Sequence, residues 1–462
     1  MNTLCPLDGR YGPRLQTLLS VMGADAFTAL RVQTECAWWT YLATLNLPNF
    51  KPFSQKEKQR LADVQKLSEK DFRLLHDLEF KGVGTIPATK HDVKAVEYFL
   101  KLRLADTSLK DRLEFIHFAL TSEDVNSVSY ALLLADGLEK VLLPALYTLQ
   151  KQLAKLARKE AHSVLLARTH GQPAVPTTFG KEVRVFESRL ARQLRTLKKQ
   201  QISCKFSGAV GNFNAHLAAY EKINWPREVQ KFIRSLNNGR KIKIFLSPVT
   251  TQVDHRDTYA ELFDNLRRIH TILLDFCRDM WQYIASGKVV QKINTGEVGS
   301  STMPQKVNPI DFENAEGNLQ LANTLCEFFA TKLPVSRLQR DLSDSTALRN
   351  MPLAFGYALV AYQSISNGLD KIAFDKKAAQ AELTTHPEVI AEGVQTILRA
   401  NGFAHAYETL RDFTRGKKIT PQLLHDFIAN LEIKKILKQR LQALNAVNYT
   451  GLAAALAEKK HD

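Results

Sequence analysis

The stretch DHRDTYAELFDNLRRIHTILLDFCRDMWQYIASG, residues 254–287, decides the fold. Its apolar residues Leu262, Leu266, Ile269, Leu273, Phe276, Met280 and Tyr283 recur at spacings of four and three, a seam of the coiled-coil type. Asp254 or Asp257 can cap its start, and Gly287 suits its end. A helix of about 30 residues is roughly 45 Å long, more than a small compact domain needs. Rods of this kind belong in bundles.

Other segments repeat the pattern. From Thr177 or Thr178 onward, Val183, Phe186, Leu190, Leu194 and Leu197 form one stripe. Thr121-Ser122-Glu123-Asp124 offers an N-cap with acidic first-turn residues, and helical spacing continues to about residue 162, with an interruption expected at Pro144. Asn308 is placed as an N-cap before Pro309, for a helix running to about residue 333. A further helix is expected over about 345–372. Strand signals are sparse; only KIKIFL, residues 241–246, alternates briefly. The expected class is all-α, with three helical domains over 1–111, 112–372 and 373–462. The middle one is a bundle of long helices, and its seams favour self-association into a larger helical core.

The chain has 462 residues, 45% hydrophobic and 24% charged, which is ordinary for a water-exposed globular protein. It carries no apolar run long enough for a membrane span. The start, MNTLCPLDGRYGPR, lacks the sections of a secretory signal, and five scattered cysteines without C-x-x-C spacing point to a reducing compartment. The cytoplasm is therefore expected. The formal charge of +16 would suit either nucleic acid or a small, highly charged anion. The densest basic runs, at 189–199, 415–418 and 434–440, share their segments with apolar residues at helical spacing and read as solvated faces. No nucleic-acid-binding signature accompanies them.

Four polar stretches interrupt the rods. They are ATKHDVKAVEYF with Lys90, His91 and Asp92; FALTSEDVN with Thr121 and Ser122; LLARTHGQPAVPTT with Thr169, His170 and Gln172; and GSSTMPQKVNP, residues 299–309. Taken singly, the histidines read as caps, Thr121-Ser122 as a plain N-cap and the last stretch as a connector. Together they gather groups that handle anions and protons. No Walker loop, Rossmann glycine signature, zinc-binding His-Glu-x-x-His or nucleophile elbow occurs, so neither cofactor nor metal is expected. The expected chemistry is proton transfer assisted by fixed positive charge, with an imidazole as acid and a serine whose alkoxide is stabilised by backbone N–H groups and a cation.

GSSTMPQKVNP resembles the signature of the fumarase/aspartase superfamily. Further stretches, DGRYG, KHDVKAVEYF, TSEDVN, RTHGQPA, GAVGNFNAH, TTQVD and RDLSDSTALRN, extend the resemblance along nearly the whole chain. They point to the branch that releases fumarate from adenylosuccinate and from the corresponding succinyl-carboxamide ribotide. The resemblance implies His170 as the general acid on the departing nitrogen and Ser300 as the base at the succinyl β-carbon. It implies substrate contacts at Arg10, Tyr11, Lys90, His91, Asp92, Thr121, Ser122, Gln252, Ser301, Lys306, Asn308, Asn314 and Arg340, and at Ser345, Thr346, Ala347, Leu348 and Arg349. It also implies a homotetramer whose sites draw stretches from three subunits. Two positions depart from the pattern: Gln305, where near relatives often have His, and Lys90, where they often have Asn. The rival readings are another enzyme of the superfamily, such as argininosuccinate lyase or fumarase, a basic helical nucleic-acid-binding protein, and a catalytically silent relative.

Overall fold

In the computed structural model the described residues are 4–292, 303 and 305–459. Long helices follow one another along the chain. They are α1 (Ala24–Leu42), α2 (Asp92–Leu104), α3 (Ser122–Gly137), α4 (Leu143–Lys159), α5 (Phe179–Leu197), α6 (Asp257–Ala285), α7 (Ile310–Lys332) and α8 (Met351–Lys371), with the shorter α9 (Lys376–Thr384) behind them. The fold is mostly α and divides into more than one unit. One comprises residues 1–146, 193–270 and 318–360, the other 147–192, 271–317 and 361–462. The divisions fall inside long helices, because a rod carrying an apolar stripe along its whole length can pack on different neighbours at its two ends. None of the described helices is long and apolar enough to cross a membrane.

The rods form where the spacing predicts them. In α6, Leu262, Leu266, Ile269, Leu273, Phe276 and Met280 are all buried, and Tyr283 half-buried. In α5 the stripe from Val183 to Leu197 is buried throughout. Asp254 accepts hydrogen bonds from Ser203, Ser247 and the Arg256 N–H, bracing the approach to α6 rather than capping it. Between α3 and α4 a π-turn spans Leu138–Leu142. Pro144 has no N–H to offer the preceding turn, and the widened turn accommodates the missing bond.

Three expectations are corrected. The helix expected over 345–372 is two helices, Ser343–Leu348 and α8, because Pro352 in the first turn of α8 cannot extend a helix from its N-terminal side. The brief strand is Lys243–Leu246 (β4), paired in parallel with Gln201–Cys204 (β3). The histidine stretch after α4 is not a loop but an antiparallel hairpin of β1 (Val164–Thr169) and β2 (Gln172–Thr178). A third small sheet pairs β5 (Val289–Gln291) with β6 (Ile372–Phe374). The hairpin was hidden by Pro173 and Pro176, which read as loop residues but are tolerated in a two-stranded sheet, where every strand is an edge.

Candidate active site

In the first unit, three stretches singled out by their chemistry are joined by direct bonds. His91 is the N-cap of α2, its Nδ1 accepting the Lys94 N–H at 3.3 Å. That bond assigns the neutral ring its proton on Nε2, which lies 3.3 Å from the Ser122 Oγ. The cap reading of His91 holds, and its other ring nitrogen faces the start of α3. Ser122 opens α3, where Asp124 reaches back to accept the Thr121 N–H at 2.8 Å. The same Asp124 is buried against the Lys205 ammonium at 2.6 Å. Lys90, exposed, takes a left-handed backbone conformation with φ +49° just before His91.

Asp92 links this corner to the 345–349 stretch. Its Oδ2 accepts from Arg31 at 2.5 Å and from Arg349 at 2.8 Å. Burial alone would raise the Asp92 carboxyl, but the two guanidinium groups outweigh it and hold it below the usual range. Arg31 also donates to Asn126 at 2.8 Å. A cavity of about 910 Å³ opens beside this cluster, with Gly12, Arg31, Asp92, Tyr130 and Arg349 among its walls. Arg10 is exposed and Tyr11 half-buried in the turn before Gly12.

A second network ties in the remaining positions. Arg340 donates to Gln252 at 3.0 Å and lies 3.3 Å from Glu123, the neighbour of Ser122. Arg256, fully buried, bridges Glu123 at 2.7 Å and Asp344 at 2.8 Å. Burial opposes the Arg256 charge, and the two carboxylates more than restore it, so its pKa lies above the ordinary guanidinium value. In the short helix Ser343–Leu348, Ser345 is half-buried and Thr346 exposed, whereas the side chains of Ala347 and Leu348 are in the core. Only the backbone of those last two is left for a ligand.

The second unit holds the other candidates. His170 and Gly171 form the tip of the hairpin with φ +53° and +75°, the pair of left-handed residues that a two-residue turn of type I′ requires. The His170 ring is exposed. Lys306 is exposed, its N–H bonded to the Met303 carbonyl at 3.0 Å. Asn308 is half-buried before α7, and Asn314 accepts the Ser364 hydroxyl at 2.9 Å. Gln291 donates to the Val307 carbonyl at 3.2 Å. Ser300 and Ser301 lie outside the described residues. Gln305 is exposed.

Sequence reasoning missed Arg31, Asn126, Glu123, Arg256 and Asp344, the residues that hold the candidates in place. Arg31 alone had a signal: a charge set among Phe27, Leu30 and Val32 on a helix whose other faces are also apolar.

The same fold occurs in solved structures. A fumarate lyase from Mesorhizobium sp. BNC1 superposes with a TM-score of 0.74 at 19% identity, covering 96% of both chains. A 3-carboxy-cis,cis-muconate lactonizing enzyme from Pseudomonas putida gives 0.72 at 20% identity, over 96% of this chain and 95% of that one. A lyase family profile matches residues 31–322, and one for the adenylosuccinate lyase C-terminal region matches 336–450. The class is that of the fumarase/aspartase lyases. Within it, adenylosuccinate lyases from Haemophilus influenzae and Escherichia coli K12 are each 42% identical over 99% of this chain and 98% of their own. The protein of that name from Dictyostelium discoideum is 40% identical over 98% of this chain. The chain belongs to the adenylosuccinate lyase family.

Proposed function

We propose that this chain is a carbon–nitrogen lyase of purine nucleotide biosynthesis. It eliminates fumarate from adenylosuccinate, giving AMP, and from succinyl-aminoimidazole-carboxamide ribotide. Ser300 takes the proton from the succinyl β-carbon, and the electron pair passes into the neighbouring carboxylate as an aci-carboxylate. The C–N bond then breaks, its pair leaving on the purine amine, which His170 protonates. The intermediate carries extra negative charge where the substrate is already anionic, and Lys306 with nearby backbone amides stabilises it as it forms. Lys90, His91, Thr121, Ser122 and the arginines at 10, 340 and 349 bind the phosphate and carboxylates. The reaction needs no metal or cofactor. The working form is a cytoplasmic homotetramer whose sites combine stretches from three subunits, each chain organised as 1–111, 112–372 and 373–462. In favour of the last division, the residues from Leu383 to Leu441 share one apolar cluster, which Leu166 of the hairpin joins.

The observation that carries the reading is the 42% identity over 99% of the chain to a named adenylosuccinate lyase. The bonded set His91–Ser122, Asp92–Arg349 and Gln252–Arg340–Glu123 supports it from geometry. The test is the absorbance change as adenylosuccinate becomes AMP. Turnover is expected, and Ser300→Ala and His170→Ala each lower kcat by at least ~10²-fold, the scale of general acid–base groups. Silence with adenylosuccinate together with turnover of argininosuccinate would reverse the assignment.

A further inference from the structure

The exposed His170 ring depends on its hairpin for placement, so what holds the hairpin tip matters. Arg168, two residues earlier on β1, turns its guanidinium back to donate to the Gly171 carbonyl at 3.1 Å. Its other terminal nitrogen donates to Oε1 of Glu382 in α9 at 2.6 Å. The second oxygen of that carboxylate faces the Lys288 ammonium at 3.1 Å. Lys288 in turn passes its carbonyl to the Asp375 N–H at 2.8 Å, at the end of the β5–β6 pair. One carboxylate, 16% exposed, thus joins the turn bearing His170, the helix after β6 and the connector that enters β5. The body of the hairpin is held separately by Leu166, which is buried in the cluster containing Leu383. Burial alone would raise the Glu382 carboxyl, but the Arg168 and Lys288 hydrogen bonds outweigh it and keep the group below its ordinary value, hence ionised at neutral pH.

We propose that Glu382 is a positioning residue for His170, acting through Arg168 to fix the hairpin tip. The inference rests on the reading of His170 as the general acid. An imidazole displaced by an ångström still leaves the substrate bound, because the binding groups lie on other stretches, but it delivers its proton poorly. Losing an interaction of this kind lowers kcat and kcat/KM together and leaves KM nearly unchanged. A purely structural role would instead lower the melting temperature and the amount of active enzyme.

The experiment compares wild type, His170→Ala, Glu382→Gln, Glu382→Asp, Arg168→Gln and the Glu382→Gln/Arg168→Gln double variant on adenylosuccinate. Expected for Glu382→Gln is an approximately tenfold fall in kcat, with KM within about twofold of wild type and helicity unchanged. Expected for Glu382→Asp is partial recovery, since the shorter carboxylate can still meet one cation. The double variant should be no worse than Arg168→Gln alone, because both remove one link. Wild-type kcat in Glu382→Gln, or losses that simply multiply in the double variant, would overturn the inference while leaving the assignment of His170 intact. Should Glu382→Gln not fold, Arg168→Gln and Lys288→Gln decide in its place, and normal kcat in both would overturn it. A silent wild type, or a fully active His170→Ala, would overturn the reading of the acid and this inference with it.

Discussion

At the scale of single residues, the polar groups proposed as the site are braced by charged residues in or beside helices, Arg31 on Asp92, Arg256 on Glu123 and Glu382 on Arg168. Lys90, His91, Thr121 and His170 stand between rods and Ser122 opens one, so they fall outside the apolar periodicity. Glu123, Arg256 and Glu382 sit in or beside helices, and a charge at helical spacing reads as a solvated face until the fold buries it. Buried histidines were equally invisible, and they carry a prediction. His216 has neither ring nitrogen hydrogen-bonded and lies among Trp38, Phe213 and Trp225, so burial pushes its pKa from 6.5 down to about 4. His270 is fully buried too and is lowered to about 4 by burial, the Asn323 hydrogen bond opposing. In both cases the folded pKa is depressed. Their stabilising contribution is therefore complete above pH 6.5 and is lost as the pH falls to about 4, each worth about 3 kcal/mol over that window. His117 has the opposite sign. Burial works against its charge, but Glu35 raises its pKa, so its contribution is present below the unfolded value and lost as the pH rises through the folded one. In urea titrations between pH 7 and pH 5, His216 and His270 contribute a part of the slope that lowers the unfolding free energy as the pH falls, opposed by His117 and by carboxyls such as Asp279, which burial raises to about 6. His216→Phe should flatten that slope; an unchanged slope would remove His216 from the account.

At the scale of elements, periodicity read the rods well and the hairpin not at all. A rod announces itself over seven or more residues, as α6 does from Leu262 to Met280. The hairpin is short, and its turn chemistry is what gives it shape: residues 170 and 171 both take positive φ. Glycine suits that region at no steric cost, whereas other residues pay about 1–2 kcal/mol there. Nothing lies within 4 Å of a Cβ built on Gly171, so a substitution meets backbone strain alone. Gly171→Ala should accordingly cost about 1 kcal/mol of stability and lower kcat more than it raises KM, because the strained turn carries His170. Calorimetry and steady-state kinetics on the same sample check both. Unchanged stability and kcat would mean that the turn relaxes freely and that its I′ geometry is not what places the ring.

At the scale of the whole molecule, the long helices bury one face and leave apolar residues on another. In α7, Leu319, Ala322, Cys326 and Phe329 are buried, yet Leu321 and Phe328, seven positions apart, are 51% and 47% exposed. Val335, Leu338 and Leu342 continue the exposed apolar series just beyond its end. A helix apolar on more than one side requires more neighbours than one chain supplies, and a patch of this kind marks a contact surface. The occupant that fits the proposed tetramer is a second copy of the chain, since the seven-residue interval from Leu321 to Phe328 is the spacing one rod offers another. Sharing of sites then ties assembly to activity. Leu321→Glu with Phe328→Glu should shift the protein to a smaller species in sedimentation velocity, retain its helical circular dichroism and lose turnover. If that variant kept full activity as a single chain, each subunit would hold a complete site and the shared-site proposal would fall. If it remained the size of wild type, this face of α7 would not be the contact, and the tetramer would have to form through other surfaces.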